Sequence, residues 1–98
     1  MTISKKLDGD KLIIALEGRL DTVSAPDLEK EAQKSLDGVK ELIFDFEKLE
    51  YISSAGLRVL LTIQKMMSDK GTMKVTNAND IVKEVFEVTG FGDIITIE

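Results

Sequence analysis

Two adjacent serines, Ser53 and Ser54, are the residues of this chain whose types and spacing best support chemistry. They precede Ala55 and Gly56, and an apolar run with helical spacing follows. The simplest interpretation is that one serine caps the helix, which contributes about 1 kcal/mol. Free N–H groups and the helix dipole also favour an anion there, so the fold would tolerate a phosphorylated hydroxyl. Such a phosphate adds about −1.5 to −2 charges and could repel a partner that docks at this position.

The composition of the chain lacks the residue types that most enzymes use for catalysis. With no Cys and no His, a thiolate nucleophile, a Ser-His-Asp triad and the commonest transition-metal ligands are absent. Neither Gly-x-x-x-x-Gly-Lys-Ser/Thr nor Gly-x-Gly-x-x-Gly occurs, although a helix start beside Gly56 could hold a phosphate group. We therefore expect no enzyme, no catalytic residue, no metal and no cofactor, with a nucleotide-binding protein as the weaker alternative.

Charge and hydropathy limit the partners and the location of the protein. A net charge of −5 and a sequence pI near 4.7 argue against nucleic acid, because neutralising phosphates requires clustered Lys and Arg. No apolar run approaches the roughly 20 residues of a membrane-spanning helix, and residues 1–10 lack the apolar core of a signal peptide. We expect a cytoplasmic protein without membrane insertion, whose 98 residues form a single domain, 1–98.

The hydropathy pattern predicts an α/β fold with the order β-β-α-β-α-β-α-β. The predicted strands are residues 3–7, 11–16, 42–46, 73–76 and 94–97, with a hairpin turn at 8–10. The opening hairpin must be antiparallel, whereas strands separated by helices pair in parallel, so we expect a mixed β-sheet packed with α-helices. The nearly continuous apolar run at 42–46 predicts a central strand that is covered on both faces.

Capping residues mark the predicted helices. Ser24, with Asp27 three residues later, resembles a capping box for a first helix that ends at Gly38. A connection at 47–53 leads to a second helix at 57–69, and Asn77 or Asn79 caps a third that ends before Gly90. The residues expected to be mostly buried are Leu42, Ile43, Phe44, Leu57, Leu60, Leu61, Val85 and Phe86.

The second predicted helix carries a narrow polar stripe. Arg58, Thr62, Lys65 and Asp69 share that stripe, and the apolar residues of the helix spread over roughly 220° of the helical wheel. Such a helix is expected to lie deep in the core with its stripe exposed beside the serines. The stripe is therefore a candidate partner-binding face, together with the turn at Ser53.

Three segments together resemble the STAS domain family, and within it the stand-alone anti-sigma-factor antagonists. They are Leu-Glu-Gly-Arg-Leu-Asp at 16–21, Leu-Ile-Phe-Asp-Phe at 42–46 and Ile-Ser-Ser-Ala-Gly-Leu at 52–57. The later Phe86, Gly90, Phe91, Ile94 and Ile95 also fit. The resemblance covers essentially the whole chain and implies the STAS fold.

The resemblance implies a partner-switching role. In this family the unphosphorylated antagonist binds an anti-sigma factor that is itself a serine kinase, which frees sigma for transcription. The kinase then phosphorylates the antagonist, and a phosphatase would reverse the modification. The family's acceptor serine commonly follows Asp and precedes Ser, Thr or Ala and then Gly. This pattern assigns the acceptor to Ser54, with Ser53 in the usual Asp position and as the alternative acceptor.

Two further assignments remain open at this point. Asp21 resembles the family's acidic residue near the acceptor, where it could orient the serine, but it could equally be a turn residue or a helix cap. The chain could also be an accessory STAS module of another assembly: a lipid-transport complex, a stressosome-like scaffold or the companion of an anion transporter. The fold alone does not choose among these functions.

Overall fold

The computed structural model describes all 98 residues and contains the elements in the predicted order. The strands are β1 (Thr2–Asp8), β2 (Lys11–Leu20), β3 (Glu41–Ile52), β4 (Thr72–Thr76) and β5 (Thr96–Ile97). The helices are α1 (Ala25–Ser35), α2 (Ser54–Ser68) and α3 (Asp80–Thr89), with a short 3₁₀ turn at Phe91–Asp93. None of these helices combines the length and the apolar character needed to cross a bilayer.

The strands form one mixed sheet in the order β1-β2-β3-β4-β5. β1 pairs with β2 in antiparallel fashion across a tight turn at Gly9, where φ is 63°, and the other pairs are parallel. The predicted α/β class, the mixed sheet and the central position of the strand containing residues 42–46 are confirmed. Because β2, β3, β4 and β5 run in the same direction, their carboxyl ends share one edge of the sheet. We call this edge the carboxyl edge.

The helices lie on one face of the sheet, so the prediction that β3 is covered on both faces was wrong. All three crossovers step in the same direction along the sheet, and right-handed connections then place their helices on the same side. Burial alternates accordingly: Leu42, Phe44 and Phe46 face the helices, whereas Asp45 on the open face is partly exposed. Ile43 is buried on the open face because cross-strand neighbours shield it.

The predicted element boundaries need three corrections. Residues 47–52 extend β3 rather than connecting it to the helix, and they pair with an equally extended β2 across two register shifts. α2 begins at Ser54, three residues earlier than predicted. The last strand is only Thr96–Ile97, because Phe91–Asp93 winds into the 3₁₀ turn and leaves Ile94 exposed.

One hydrophobic core joins the helices to the covered face of the sheet. α1 packs on α2, α2 packs on β3 and β4, and α3 packs on β3. Of the eight residues expected to be mostly buried, six are buried, and Leu61 and Val85 are partly exposed. Asn79 is the cap of α3, since its side chain accepts the N–H of Val82 at 2.8 Å.

Candidate functional site

The candidate site lies at the carboxyl edge, where β2 and β3 end side by side. The backbone N–H of Ser53 donates to the carbonyl oxygen of Leu20 at 2.9 Å, which joins the start of α2 to the end of β2. This bond brings the loop that follows Leu20, including Asp21, next to the two serines. The structure therefore gathers at one edge segments that are more than 30 residues apart in sequence.

Ser53 and Ser54 have different environments at the start of α2. Ser53 is the N-cap, and its Oγ accepts the N–H of Gly56 at 3.2 Å. Ser54 is the first helical residue, its side chain is exposed, and its hydroxyl makes no hydrogen bond within the protein. The oxygen of Ser53 thus stabilises the helix, while that of Ser54 is accessible from solvent.

The electrostatics at this helix start favour an added anion. The N–H groups of the first turn point outward from the positive end of the helix, and the first turn contains no acidic residue. Arg58 lies one turn further along the same exposed side and forms no ion pair. An anionic group on Ser54 would therefore meet positive potential from the helix.

Gly56 allows α2 to approach β2 closely. A Cβ at this buried position would lie 2.8 Å from both the Cγ and the carbonyl oxygen of Leu20, and 3.0 Å from Cγ1 of Ile52. The two separations of 2.8 Å are shorter than real Cβ contacts, and the Leu20 oxygen is backbone that cannot move aside freely. Glycine is required here by the close approach of the helix to the strand end.

Gly56→Ala is expected to lower the free energy of unfolding by about 1–3 kcal/mol, because the methyl group forces α2 away from Leu20. Thermal unfolding followed by circular dichroism measures the effect. Gly92→Ala is the matched control, since Gly92 has an ordinary φ and no atom within 4 Å of the added Cβ. Equal melting temperatures for the two variants would contradict the steric argument.

Asp21 organises the loop between β2 and α1. Its Oδ1 accepts the backbone N–H groups of Val23 and Ser24, each at 3.1 Å. The N–H of Ser24 is the main cause that holds the pKa of Asp21 below its ordinary value, with the Ser24 side chain, the Val23 N–H and the Arg19 charge adding to it. No hydrogen bond joins Asp21 to Ser54. These bonds agree with the role of a turn residue, and an orienting role of Asp21 towards the acceptor serine stays a prediction.

The predicted capping box at Ser24 and Asp27 was wrong. The Ser24 hydroxyl makes no capping bond to α1. It donates instead to the carbonyl oxygen of Arg19 at 2.8 Å and accepts the N–H of Asp21 at 2.9 Å. Ser24 is buried, and these backbone partners at the end of β2 compete successfully with the helix for its hydroxyl.

The exposed side of α2 carries the polar residues predicted for it: Arg58, Thr62 and Lys65 are exposed, and Asp69, also exposed, is the C-cap that follows the helix. Ser54, Arg58, Thr62 and Lys65 are all exposed and recur at helical spacing, and we call them the α2 stripe. Thr62 Oγ1 donates back to the carbonyl oxygen of Arg58 at 3.0 Å, and neither Arg58 nor Lys65 forms an ion pair. The stripe thus presents two free cations on the same side of α2 as the exposed serine, with Arg58 one turn and Lys65 about three turns along the helix.

Arg19 also lies at this site, although its sequence context does not indicate it. Its guanidinium lies over the ring of Tyr51, 4.4 Å from the centroid, and its Nε is 3.9 Å from Oδ2 of Asp21. Arg19 and Tyr51 are partners in the β2–β3 register, on the far side of a register shift. The sequence carries no signal for this pairing until that shift is known.

The chain belongs to the STAS domain family, whose model matches residues 2–98. It is 37% identical over 94 residues to BtrV of Bordetella bronchiseptica, named as a candidate anti-sigma factor antagonist, covering 94% of this chain and 80% of that protein. The predicted STAS membership and fold are confirmed.

Two solved structures share this fold. The first is an anti-sigma factor antagonist from Mycobacterium paratuberculosis, which superposes with a TM-score of 0.89 at 20% identity over 98% of this chain and 83% of that one. The second is the Bacillus cell fate determinant SpoIIAA in its phosphorylated form, with a TM-score of 0.77 at 19% identity over 99% and 91%.

Proposed function

We propose that this chain is a cytoplasmic anti-sigma-factor antagonist. In its unphosphorylated form it binds an anti-sigma factor with serine kinase activity, and phosphorylation of Ser54 releases it, which regulates sigma-dependent transcription. A phosphatase returns it to the binding form. The observation that carries the proposal is the exposed Ser54 hydroxyl at the start of α2, on the same side of the helix as the free cations of the α2 stripe, in a chain 37% identical to BtrV.

The environments of the two serines support Ser54 as the acceptor. A kinase needs access to the hydroxyl, and Ser54 is exposed while Ser53 is half-buried. The Ser53 oxygen already accepts the Gly56 N–H, so transfer of a phosphoryl group to it would disturb the cap of α2. Ser53 also performs the capping that an Asp at this position would perform, because both residue types are favoured N-caps.

Release without unfolding follows from the position of Ser54. A phosphate on the first residue of α2 meets the positive end of the helix with no acid in the first turn, so the fold accommodates it. The likeness of this fold to phosphorylated SpoIIAA supports that compatibility. A partner surface docked on Ser54 must instead exclude or neutralise the new charge. Phosphorylation therefore lowers the affinity for the partner more than it lowers the stability of the domain.

The proposal is tested by capturing partners on the immobilised chain from the host bacterium, without and with ATP. We expect recovery of an ATP-dependent serine kinase that elutes when ATP is added, and phosphate located on the chain by peptide mass spectrometry. Recovery of membrane-transport subunits or a large scaffold would instead indicate an accessory module. Calorimetric binding of a nucleotide tighter than micromolar would indicate the nucleotide-binding alternative.

Charge reversal on the α2 stripe tests the partner-binding face. Arg58→Glu combined with Lys65→Glu is expected to weaken binding of the captured kinase by about tenfold or more, since the partner must be complementary to these cations. The melting temperature is expected to stay within a few degrees, because exposed substitutions usually change stability by about 0.5 kcal/mol or less. Surface plasmon resonance with the purified kinase measures the affinity.

The matched control reverses two exposed cations elsewhere, Lys6 on β1 and Lys83 on α3. Lys6→Glu with Lys83→Glu produces the same change in net charge but leaves the α2 stripe intact. We expect this double variant to bind the kinase with nearly wild-type affinity. Equal weakening by both pairs would mean that net charge, rather than the α2 stripe, controls association.

A further inference from the structure

Val23 is the most exposed large hydrophobic residue of the chain, with 86% of its surface accessible. It lies in the short loop between β2 and α1, at the carboxyl edge. Isolated exposed apolar residues are common, and exposure alone carries no meaning. Two further features make Val23 a candidate: its loop is held by hydrogen bonds, and it follows Leu20, whose carbonyl oxygen accepts the N–H of Ser53 at the start of α2.

The loop around Val23 is held by its own hydrogen bonds. The N–H of Val23 donates to Oδ1 of Asp21 at 3.1 Å, and the N–H of Ala25 donates to the Asp21 carbonyl oxygen at 2.8 Å. Buried Ser24, immediately after Val23, is fixed to Arg19 and Asp21. A β-branched side chain on such a loop has little conformational freedom to lose on binding.

The loop is directly connected to the start of α2. Val23 is three residues beyond Leu20, whose carbonyl oxygen accepts the Ser53 N–H and whose side chain contacts the position of Gly56. Val23 precedes the first turn of α1, and Ser54 begins α2, which packs on α1. A partner that covers Ser54 along the carboxyl edge would therefore also meet Val23.

We infer that Val23 is an apolar anchor that inserts into an apolar pocket of the same anti-sigma factor that docks on Ser54. This inference rests on the proposed function. The side chain is almost fully exposed, so it contributes little packing in the free protein. In the complex it supplies apolar contact beside the polar α2 stripe. In the complex, a phosphate on Ser54 would have to lose water beside this apolar contact. The cost of that desolvation would weaken binding of the phosphorylated chain further.

The test compares two similarly exposed valines at opposite edges of the sheet. Val88, 79% exposed, lies near the end of α3, which runs from the carboxyl edge back towards the amino ends of the strands. Val23→Ser is expected to raise the dissociation constant for the purified anti-sigma factor kinase by about tenfold or more, as truncated anchor residues do. Val88→Ser is expected to leave it unchanged, and Val23→Ile to retain binding.

Neither Val23→Ser nor Val88→Ser is expected to change the melting temperature, because both valine side chains are exposed. A benzophenone amino acid at position 23, but not at position 88, is expected to form a photo-crosslink to the kinase. Wild-type affinity of Val23→Ser, or no crosslink from position 23, would overturn the anchor while leaving the proposed function intact. Failure of the wild-type chain to bind any anti-sigma factor kinase would overturn both.

Discussion

Replacing Phe44 by Asp is expected to leave the chain without a cooperative unfolding transition. Phe44 is fully buried in the central strand β3, next to Ile14 and Val75 in the register, with its ring 5.9 Å from that of Phe46. An unpaired carboxylate in this apolar environment costs several kcal/mol, in addition to the lost aromatic packing. A small domain has a total stability of only about 5–15 kcal/mol, so the two losses together consume most or all of it.

Far-ultraviolet circular dichroism during heating measures this effect. Phe44→Leu is the matched control, because it keeps an apolar side chain at the same position and is expected to melt cooperatively at a lower temperature. A cooperative transition of Phe44→Asp near the wild-type temperature would show that the interior at β3 is hydrated or open. The assignment of the covered face of the sheet would then be wrong.

The layout of the sheet could be predicted from sequence because its local signals agree with the final fold. The turn at 8–10 requires an antiparallel hairpin, and the later strands separated by helices require parallel pairs. The coverage of β3 was mispredicted because Ile43 is apolar although no helix lies over it. Ile43 is paired with Ile13 and Lys74, whose side chains shield it on the open face. A local apolar run does not distinguish cover by a helix from cover by neighbouring strands.

The second half of β3 could not be predicted because its pairing depends on tertiary structure. Glu47, Lys48 and Glu50 are exposed charges, so this segment has the local composition of a loop. It is a strand because it pairs with the end of β2 across the register shifts, where Gly18 adopts a φ of 105°. Neither the shift nor the pairing has a sequence signature of its own.

In the candidate site, too, some features could be predicted from the sequence and others could not. A serine cap before α2 was predicted, since capping is a local property of residue type, although the helix begins three residues earlier than predicted. The role of Ser24 was mispredicted because its hydroxyl bonds to the end of β2, which the local pattern of Ser24 and Asp27 does not reveal. Arg19, whose position depends on a contact between two segments, was found only in the structure.

Replacement of Ser54 is expected to produce the largest functional effects. Ser54→Ala should bind the anti-sigma factor kinase with or without ATP and acquire no phosphate, since the exposed acceptor hydroxyl is absent. Ser54→Asp should bind weakly while keeping the wild-type melting temperature, because a carboxylate at the start of α2 is compatible with the helix dipole. The carboxylate carries less charge than a phosphate, so we expect its effect on binding to be smaller than that of modification.

Ser53→Ala is the control that separates the two serines. Loss of the N-cap bond to Gly56 is expected to lower stability by about 1 kcal/mol, but the variant should still be phosphorylated at residue 54 and released from the kinase. Incubating each variant with the kinase and ATP, followed by peptide mass spectrometry, locates the phosphate. Phosphate on Ser53 alone would reverse the assignment. If the chain binds the kinase but neither serine acquires phosphate, phosphorylation of Ser53 or Ser54 is not what releases the chain from the kinase.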